Sequence, residues 1–268
     1  MKFFDKGFKA AIEALREKRP LVHCITNYVT AGDTANMLLA AGASPIMADD
    51  PAESAEICAR ADALLLNMGT LSERHISAML KAGKAASENG IPVVLDPVGV
   101  HLSEFRRTAA LKILSEVDVS IIRGNVSELL FMGGIPVSSR GVDSSGEREE
   151  NLYLSAAADS AQRYNCVCCV TGAEDIITDG NKATRLRNGS EKLKKITGAG
   201  CMTTALIAAF SAVCEPFSAA VYGAAFMGIC GEISEYSPDF RGMGSFRAGL
   251  FDAAGMSAEE FAARIARD

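Results

Sequence analysis

The chain alternates short apolar runs with longer segments of helical periodicity. Apolar runs predict strands at 20–25, 44–48, 62–66, 92–95 and 119–122, and helical patterns predict helices at 1–19, 30–41, 52–59, 71–89 and 103–116. Strands that alternate with helices of this length are typical of βαβ units in a parallel sheet. Because these strands have no polar face, we expect helices to cover both faces of the sheet.

The pattern changes after residue 131. The segment 132–150 is rich in Gly, Ser and charged residues, which is typical of a solvated surface connection, with a lid or a linker as alternatives. The next predicted elements are a helix at 152–163, a buried strand at 166–171, short strands at 174–178 and 182–186, and helices from Gly198 onward. Asp179-Gly180 is typical of a hairpin turn, so we expect antiparallel strands at one edge of the sheet.

Composition favours one large α/β domain over 1–268. The 268 residues are 49% hydrophobic and 22% charged, which is sufficient for a large core and argues against disorder. The formal net charge is −6, and the sequence has neither a run of Lys and Arg nor any Trp. A nucleic-acid partner is therefore not expected.

Two strongly apolar stretches, 201–214 and 216–230, raise the question of a membrane span. Each is shorter than the ~20 residues that a span needs, and Glu215-Pro216 separates them, so we expect two buried helices. The helical pattern of 1–19 carries charge on its polar face and does not resemble a signal peptide. We expect a cytoplasmic protein with no membrane partner.

The eight cysteines are expected to be reduced and mostly buried, because the chain is long and most of them lie in apolar runs. Cys166, Cys168 and Cys169 form a C-x-C-C pattern, which lacks the spacing of a zinc site. We expect these three residues on one buried strand.

The strongest chemical signal is the segment Thr197-Gly198-Ala199-Gly200-Cys201 at the start of an apolar helix. Glycines let backbone N–H groups approach a ligand closely, and the first turn of a helix favours anions such as phosphate. The segment matches neither a Walker A loop nor a dinucleotide fingerprint. A tight turn without a ligand is the alternative. Cys201 stands at the helix start, where a thiol can be activated, although a small buried helical residue is equally compatible.

Two further polar clusters follow predicted strands. Asp96 comes directly after 92–95, where a carboxylate can bind Mg²⁺ or close a turn. Arg123, Asn125 and Glu128 follow 119–122, where Arg123 could pair with phosphate and Glu128 could meet a metal through water. Asn125 and Glu128 also fit a helix capping box. The carboxyl ends of parallel strands share one edge of the sheet, so we expect these clusters to converge with the glycine segment.

These motifs resemble the hydroxyethylthiazole kinase family of the ribokinase-like superfamily. The resemblance covers about residues 20–255, and its markers are VHCITNYV (22–29), GASPIMA (42–48), LLLNMGTL (64–71), LDPVGV (95–100), IIRGNVSEL (121–129), VTG (170–172), TGAGC (197–201) and GSFRAGLFD (244–252). The TGAGC motif is specific, because most superfamily members have Asp at the position of Cys201. The resemblance implies a three-layer α/β fold with a mostly parallel sheet and an antiparallel edge.

The resemblance also implies roles for single residues. Substrate contacts are expected from Asn27, Met47 and Gly198, ATP contacts from Arg123, Thr171 and Ala199, Mg²⁺ contacts from Asp96 and Glu128, and catalysis from Cys201 as base with the backbone of Gly198 and Gly200. The implied reaction is ATP- and Mg²⁺-dependent phosphorylation of the hydroxyl of 5-(2-hydroxyethyl)-4-methylthiazole, in thiazole salvage for thiamine synthesis. The implied assembly is a homotrimer with sites between neighbouring subunits. His101 departs from the family, which usually has small residues after DPVGV.

Three alternatives stay open from the sequence. One is another ribokinase-fold reaction, such as hydroxymethylpyrimidine kinase or ATP-dependent hydrate dehydratase. A second is a thiol enzyme with Cys201 as nucleophile, for which His23, His75 and His101 are the possible bases. The third is a nucleotide-binding module without turnover.

Overall fold

The computed structural model describes residues 3–135 and 147–265. Its strands are β1 Leu21–Ile25, β2 Ser44–Ile46, β3 Ala63–Asn67, β4 Val93–Asp96, β5 Ile121–Asn125, β6 Val167–Thr171, β7 Asp175–Thr178 and β8 Ala183–Leu186. They form one sheet in the order β2-β1-β3-β4-β5-β6-β7-β8. Strands β1 to β6 pair in parallel, and β7 and β8 join antiparallel. The predicted mostly parallel sheet with an antiparallel edge is confirmed.

Helices cover both faces of this sheet. They are α1 Phe3–Lys18, α2 Ala31–Ala41, α3 Ser54–Cys58, α4 Glu73–Asn89, α5 Glu104–Glu116, α6 Val126–Met132, α7 Glu147–Tyr164, α8 Ala199–Ser211, α9 Pro216–Glu235, α10 Met243–Ala254 and α11 Ala258–Ala262. Strand side chains alternate between two cores: Leu65 of β3 packs with α1, α2 and α8–α11, whereas Leu64 and Leu66 pack with α4–α7. This alternation produces the expected three layers.

Several boundaries differ from the predictions. Strand β5 continues to Asn125, so Arg123 and Asn125 lie within the strand that was predicted to end at 122. Residues 126–132 form a separate helix, α6, because Asn125 and Glu128 close a capping box at its start. The proposed surface connection 132–150 was too long at its end, since α7 already begins at Glu147. Residues 136–146 of that segment lie outside the described part of the chain.

The length argument against a membrane span was wrong for the second apolar stretch. Helix α9 continues to Glu235 and reaches 20 residues, long and apolar enough to cross a membrane. However, 78% of its apolar window is buried inside the structure, and α9 packs between α8 and α10. The expectation of two buried core helices, α8 and α9, is confirmed by this packing.

All eight cysteines are free thiols. Six are buried, and Cys201 and Cys214 are partly exposed. Cys168 and Cys169 lie on β6, and Cys166 precedes that strand by one residue. Burial raises the pKa of Cys24 and of Cys58 to about 12, so these thiols stay protonated and act as core side chains.

The parallel strands bring polar residues to one edge of the sheet. In the strand register, Asn67 at the end of β3 lies beside Asp96 at the end of β4. Asn125 at the end of β5 lies beside Thr171 at the end of β6. Helix α8 packs against β3 and β4 and brings its first turn to the same edge, as we expected.

Candidate active site

The first turn of α8 is built on two glycines. Gly198 caps the helix with φ +89°, a left-handed conformation that favours glycine, and a Cβ there would lie 2.6 Å from Cγ2 of Thr30. A Cβ on Gly200 would lie 2.5 Å from Nη1 of Arg123. The glycines therefore let the loop turn and let a guanidinium rest against the helix start. The first N–H groups of α8 have no partner within the helix.

Asp96 is the buried charge at the centre of the site. Its Oδ2 accepts hydrogen bonds at 2.8 Å from Asn67 Nδ2 and at 2.8 Å from Thr204 Oγ1. Its Oδ1 is buried without a partner in the described structure. Burial raises the pKa of Asp96 to about 6, although the charge of Arg123 lowers it. The carboxylate therefore has one oxygen fixed and one oxygen available to a ligand.

Arg123 lies beside this carboxylate, with Nη1 3.7 Å from Asp96 Oδ2 and a side chain only 12% exposed. Its Nη2 donates to the hydroxyl of Thr171, and its Nε is buried without a partner. The neighbouring carboxylates of Asp96 and Glu128 raise the pKa of Arg123 against the opposing effect of burial. The guanidinium is therefore permanently charged and has donor capacity left for an anion.

Cys201 is the third functional group of the site, after Asp96 and Arg123. Its sulfur accepts hydrogen bonds from Asn27 Nδ2 and from Asn67 Nδ2, both at 3.3 Å. Burial, followed by the charge of Asp96, raises the pKa of the Cys201 thiol. The thiol at the helix start is thus not activated as the helix position alone suggested, because desolvation outweighs the favourable groups.

Asn67 and Thr204 are site residues that the sequence reasoning missed. Asn67 links Asp96, Cys201 and Asn27 through its amide, and Thr204 donates to Asp96 from the second turn of α8. Asn67 ends an apolar strand, the same signal that singled out Asp96. Thr204 has no comparable signal, because it is one of three buried polar residues, with Thr203 and Ser211, in a mostly apolar helix.

Glu128 takes the capping role that the sequence left open. Its Oε2 accepts from the N–H of Asn125, and its Oε1 accepts from the N–H of Gly99, each at 2.8 Å. Glu128 therefore ties the loop after β4 to the loop after β5. Since both oxygens are occupied by backbone donors, this carboxylate suits a water-mediated contact to a cation better than a direct one.

The donor set fits Mg²⁺ held mainly by a substrate. Among residues 3–135 and 147–265, no group of three or more His, Cys, Asp or Glu could hold a metal by itself. Mg²⁺ usually binds one or two carboxylates together with phosphate oxygens and waters. The unpartnered Oδ1 of Asp96 matches that requirement, with Glu128 nearby.

A cavity of about 420 Å³ opens beside these residues. Arg123, Thr171, Ala199 and Gly200 line it together with Gly172 and Lys194. Backbone N–H groups, an arginine and small residues on one wall can accommodate a phosphate-bearing ligand. The residues expected to contact ATP therefore share one cleft.

Of the residues expected to contact the alcohol, Asn27 lies in contact with Cys201. Asn27 is buried, and its Oδ1 accepts from the N–H of Thr30 at 3.1 Å. Met47 follows β2 and is 38% exposed, while Tyr28 and Val29 are 78% and 60% exposed. The structure thus brings Asn27 to Cys201 and leaves Met47 partly exposed just after β2.

No histidine in the described structure hydrogen-bonds Cys201. His23 contacts the carbonyl of Ala48 at 2.7 Å, and burial lowers its pKa. His75 contacts Ser72 and Asp49 at 3.0 and 3.1 Å. Nδ1 of His101 is buried without a partner. These contacts give a thiol nucleophile no base and disfavour the thiol-enzyme alternative.

Comparison with known proteins agrees with these features. A sequence profile of the hydroxyethylthiazole kinase family matches residues 12–259. The chain is 44% identical over 255 residues to the hydroxyethylthiazole kinase of Ruminiclostridium cellulolyticum, covering 94% of this chain and 93% of that one. It is 47% identical over 246 residues to that of Clostridium beijerinckii, covering 90% and 89%.

Solved structures give the same result. The structure of a hydroxyethylthiazole kinase from Pyrococcus horikoshii superposes with a TM-score of 0.88 at 36% identity and covers 98% of both chains. A ribokinase-like superfamily protein from Enterococcus faecalis superposes with a TM-score of 0.69 at 10% identity over 94% of both chains, which supports the fold alone. The expected three-layer, ribokinase-like architecture is confirmed, and the chain belongs to the hydroxyethylthiazole kinase family.

Proposed function

We propose that this protein transfers the γ-phosphoryl group of ATP to the hydroxyl of 5-(2-hydroxyethyl)-4-methylthiazole. The observation that carries the proposal is the contact chain that joins Arg123, which lines the cleft, to Asp96, Asn67 and Cys201. It connects a fixed cation, a carboxylate and a thiol through consecutive contacts. Such an arrangement suits an alcohol that attacks a phosphoryl group.

The first task of the site is to bind and orient ATP. Arg123 and Thr171 present a guanidinium and a hydroxyl to the cleft, and the N–H groups of Ala199 and Gly200 lie at the helix start. Phosphoryl transfer has a loose transition state, so positioning and charge stabilisation dominate. The N–H groups of 198–201 would stabilise charge that develops on the transferred group.

Asp96 and, through water, Glu128 would hold Mg²⁺ beside the phosphates. Bound there, the ion would neutralise phosphate charge. Both carboxylates are held in one orientation, because Asn67 and Thr204 donate hydrogen bonds to Asp96 and two backbone N–H groups donate hydrogen bonds to Glu128.

Cys201 would take the proton of the attacking hydroxyl. In a loose transition state the hydroxyl loses its proton late, so a weak base is sufficient. Burial and Asp96 raise the pKa of this thiol, which limits the thiolate fraction near neutral pH. We therefore assign Cys201 a contributing role, with Asn27 and Met47 on the side of the alcohol.

The test is ADP release with Mg-ATP and three acceptors: hydroxyethylthiazole, hydroxymethylpyrimidine and no alcohol. We expect release that depends on hydroxyethylthiazole. Release with the pyrimidine alone would favour the hydroxymethylpyrimidine kinase alternative. ADP release that does not depend on either alcohol would contradict the proposal and favour the dehydratase alternative, and nucleotide binding without ADP release would favour the binding-module alternative. In either case His101 would be the first residue to replace.

Replacement of Cys201 tests whether this residue is a weak, contributing base or a base that the reaction requires. We expect Cys201→Ala to lower kcat about 100-fold without abolishing turnover, at the low end of the usual contribution of a positioned acid or base. Cys201→Asp should stay active, since a carboxylate can take the same proton. Steady-state ADP release measures both variants, with Cys214→Ala, at a partly exposed cysteine of the loop after α8, as the control. Complete inactivity of Cys201→Asp would contradict this account.

We also infer a cytoplasmic homotrimer of single-domain subunits that acts in thiazole salvage for thiamine synthesis. Tyr28 and Val29 are exposed and directly follow Asn27 in the chain, which supports an interface there, because a neighbouring subunit would bury these apolar side chains. Sedimentation equilibrium tests the assembly, and a monomer would contradict it.

A further inference from the structure

The orientation of two buried amides is fixed by backbone donors. Oδ1 of Asn67 accepts from the N–H of Gly69 at 2.9 Å, so its NH₂ group must face the other way. Oδ1 of Asn27 accepts from the N–H of Thr30 at 3.1 Å with the same consequence. Both amides therefore present N–H donors to the sulfur of Cys201, each at 3.3 Å.

The bonding capacity of Asn67 is fully used. Its two N–H groups donate to Asp96 Oδ2 and Cys201 Sγ, and its oxygen accepts from Gly69 N and Asn27 Nδ2. The side chain is 2% exposed, so it makes these contacts away from solvent. A buried amide with all its bonds satisfied is held in one orientation and can hold its neighbours in place.

We infer that Asn67 is a positioning residue that acts through Cys201. It holds the sulfur as a hydrogen-bond acceptor between two amides, next to Asp96. The inference rests on the proposed role of Cys201 as base: the sulfur takes the proton while the hydroxyl oxygen bonds to phosphorus and the bond from phosphorus to ADP breaks. Only the thiolate can take that proton, and two N–H donors favour the thiolate over the thiol.

The donors matter because the other surroundings oppose the thiolate. Burial and the carboxylate of Asp96 on β4 disfavour a negative sulfur. The guanidinium of Arg123 on β5 is directed to Asp96 and Thr171. The groups that offset desolvation of the sulfur are therefore the hydroxyl of Thr30 and the amides of Asn27 and Asn67.

The test is a double-mutant cycle on kcat. A charged acceptor makes the hydrogen bond strong, so we expect Asn67→Ala to lower kcat about tenfold with the KM for ATP changed less than about twofold. In the Cys201→Ala background the same change should cost no more than Thr204→Val does, because only the contact of Asn67 with Asp96 is then left to lose. Thr204→Val is the matched control: it removes the other donor of Asp96 and should cost a similar factor in both backgrounds.

An equal loss from Asn67→Ala in both backgrounds would overturn the inference and leave Asn67 as a support for Asp96 alone. A second variant, Asn67→Leu, keeps a side chain of similar size but removes the N–H donors without adding a charge. Alkylation of Cys201 by iodoacetamide, followed by mass spectrometry at pH 8, should then slow about tenfold, and an unchanged rate would equally overturn it. Thiazole-dependent ADP release by the unaltered protein is measured first, so that failure of the proposed function is distinguished from failure of this inference.

Discussion

Replacing Asp96 with Asn is expected to lower kcat about a thousandfold while the protein stays folded. The Asn side chain has the same shape, and its oxygen can still accept from Asn67 and Thr204, as Asp96 Oδ2 does at 2.8 Å from each. What is lost is the negative charge beside Arg123 and the unpartnered oxygen that suits a cation. ADP release at saturating ATP measures kcat, and thermal melting measures folding.

The matched control is Asp62→Asn. Asp62 also accepts a backbone N–H, from Leu21 at 2.8 Å, and pairs with Lys18 at 2.9 Å, but it precedes β3 at the opposite edge of the sheet. Its replacement should change kcat less than about twofold, since it contacts no site residue. If Asp96→Asn kept more than about a tenth of the normal kcat, the charge of Asp96 would not be central to the reaction.

The sequence predicted that Asp96 and Arg123 converge in the fold, because each follows an apolar run that predicts a parallel strand. Asp96 and Arg123 are 27 positions apart in the chain, yet each directly follows an apolar run that predicts a strand, and parallel pairing brings their side chains within 3.7 Å. The same rule placed the start of α8 at this edge. In a parallel sheet, the order of apolar runs and the first polar residue after each run therefore carry most of the information about a site.

The remaining site residues depend on packing that the local sequence does not encode. Thr204 reaches Asp96 only because α8 packs on β3 and β4 at a particular position along the sheet and with a particular rotation about its own axis. The protonation of Cys201 could not be read from its position either. The helix start favours a thiolate, but burial and Asp96 outweigh it, and burial is a property of the folded chain.

Arg123→Met is expected to have the second large effect, lowering kcat/KM for ATP about a hundredfold or more. The variant removes the fixed cation from the phosphate cleft and leaves the carboxylate of Asp96 buried without its opposite charge. Breaking a buried pair on one side typically costs about 3–5 kcal/mol. Denaturant unfolding and initial rates at varied ATP measure the two effects separately. Unchanged kinetics for ATP would contradict the assignment of Arg123 to the nucleotide.

The pH profile of the same variant tests the link between the two residues. Asp96 must be ionised to act, and its pKa is about 6 with the charge of Arg123 lowering it. Activity should therefore fall as the pH drops through about 6. Without Arg123 the pKa of Asp96 rises further, so Arg123→Met should lose activity about one to two pH units higher.

Arg123→Lys tests the positive charge of Arg123 separately from the geometry of its guanidinium group. The ammonium keeps a positive charge near Asp96, so the acid limb of the profile should stay near its original pH. It cannot reproduce the forked guanidinium that spans Asp96 and Thr171, so the KM for ATP should rise about tenfold. The ionisation of free ATP is the same in the assay of every variant. Differences between the pH profiles of the variants therefore come from the protein. If Met and Lys shifted the acid limb equally, the charge of Arg123 would not set the pKa of Asp96.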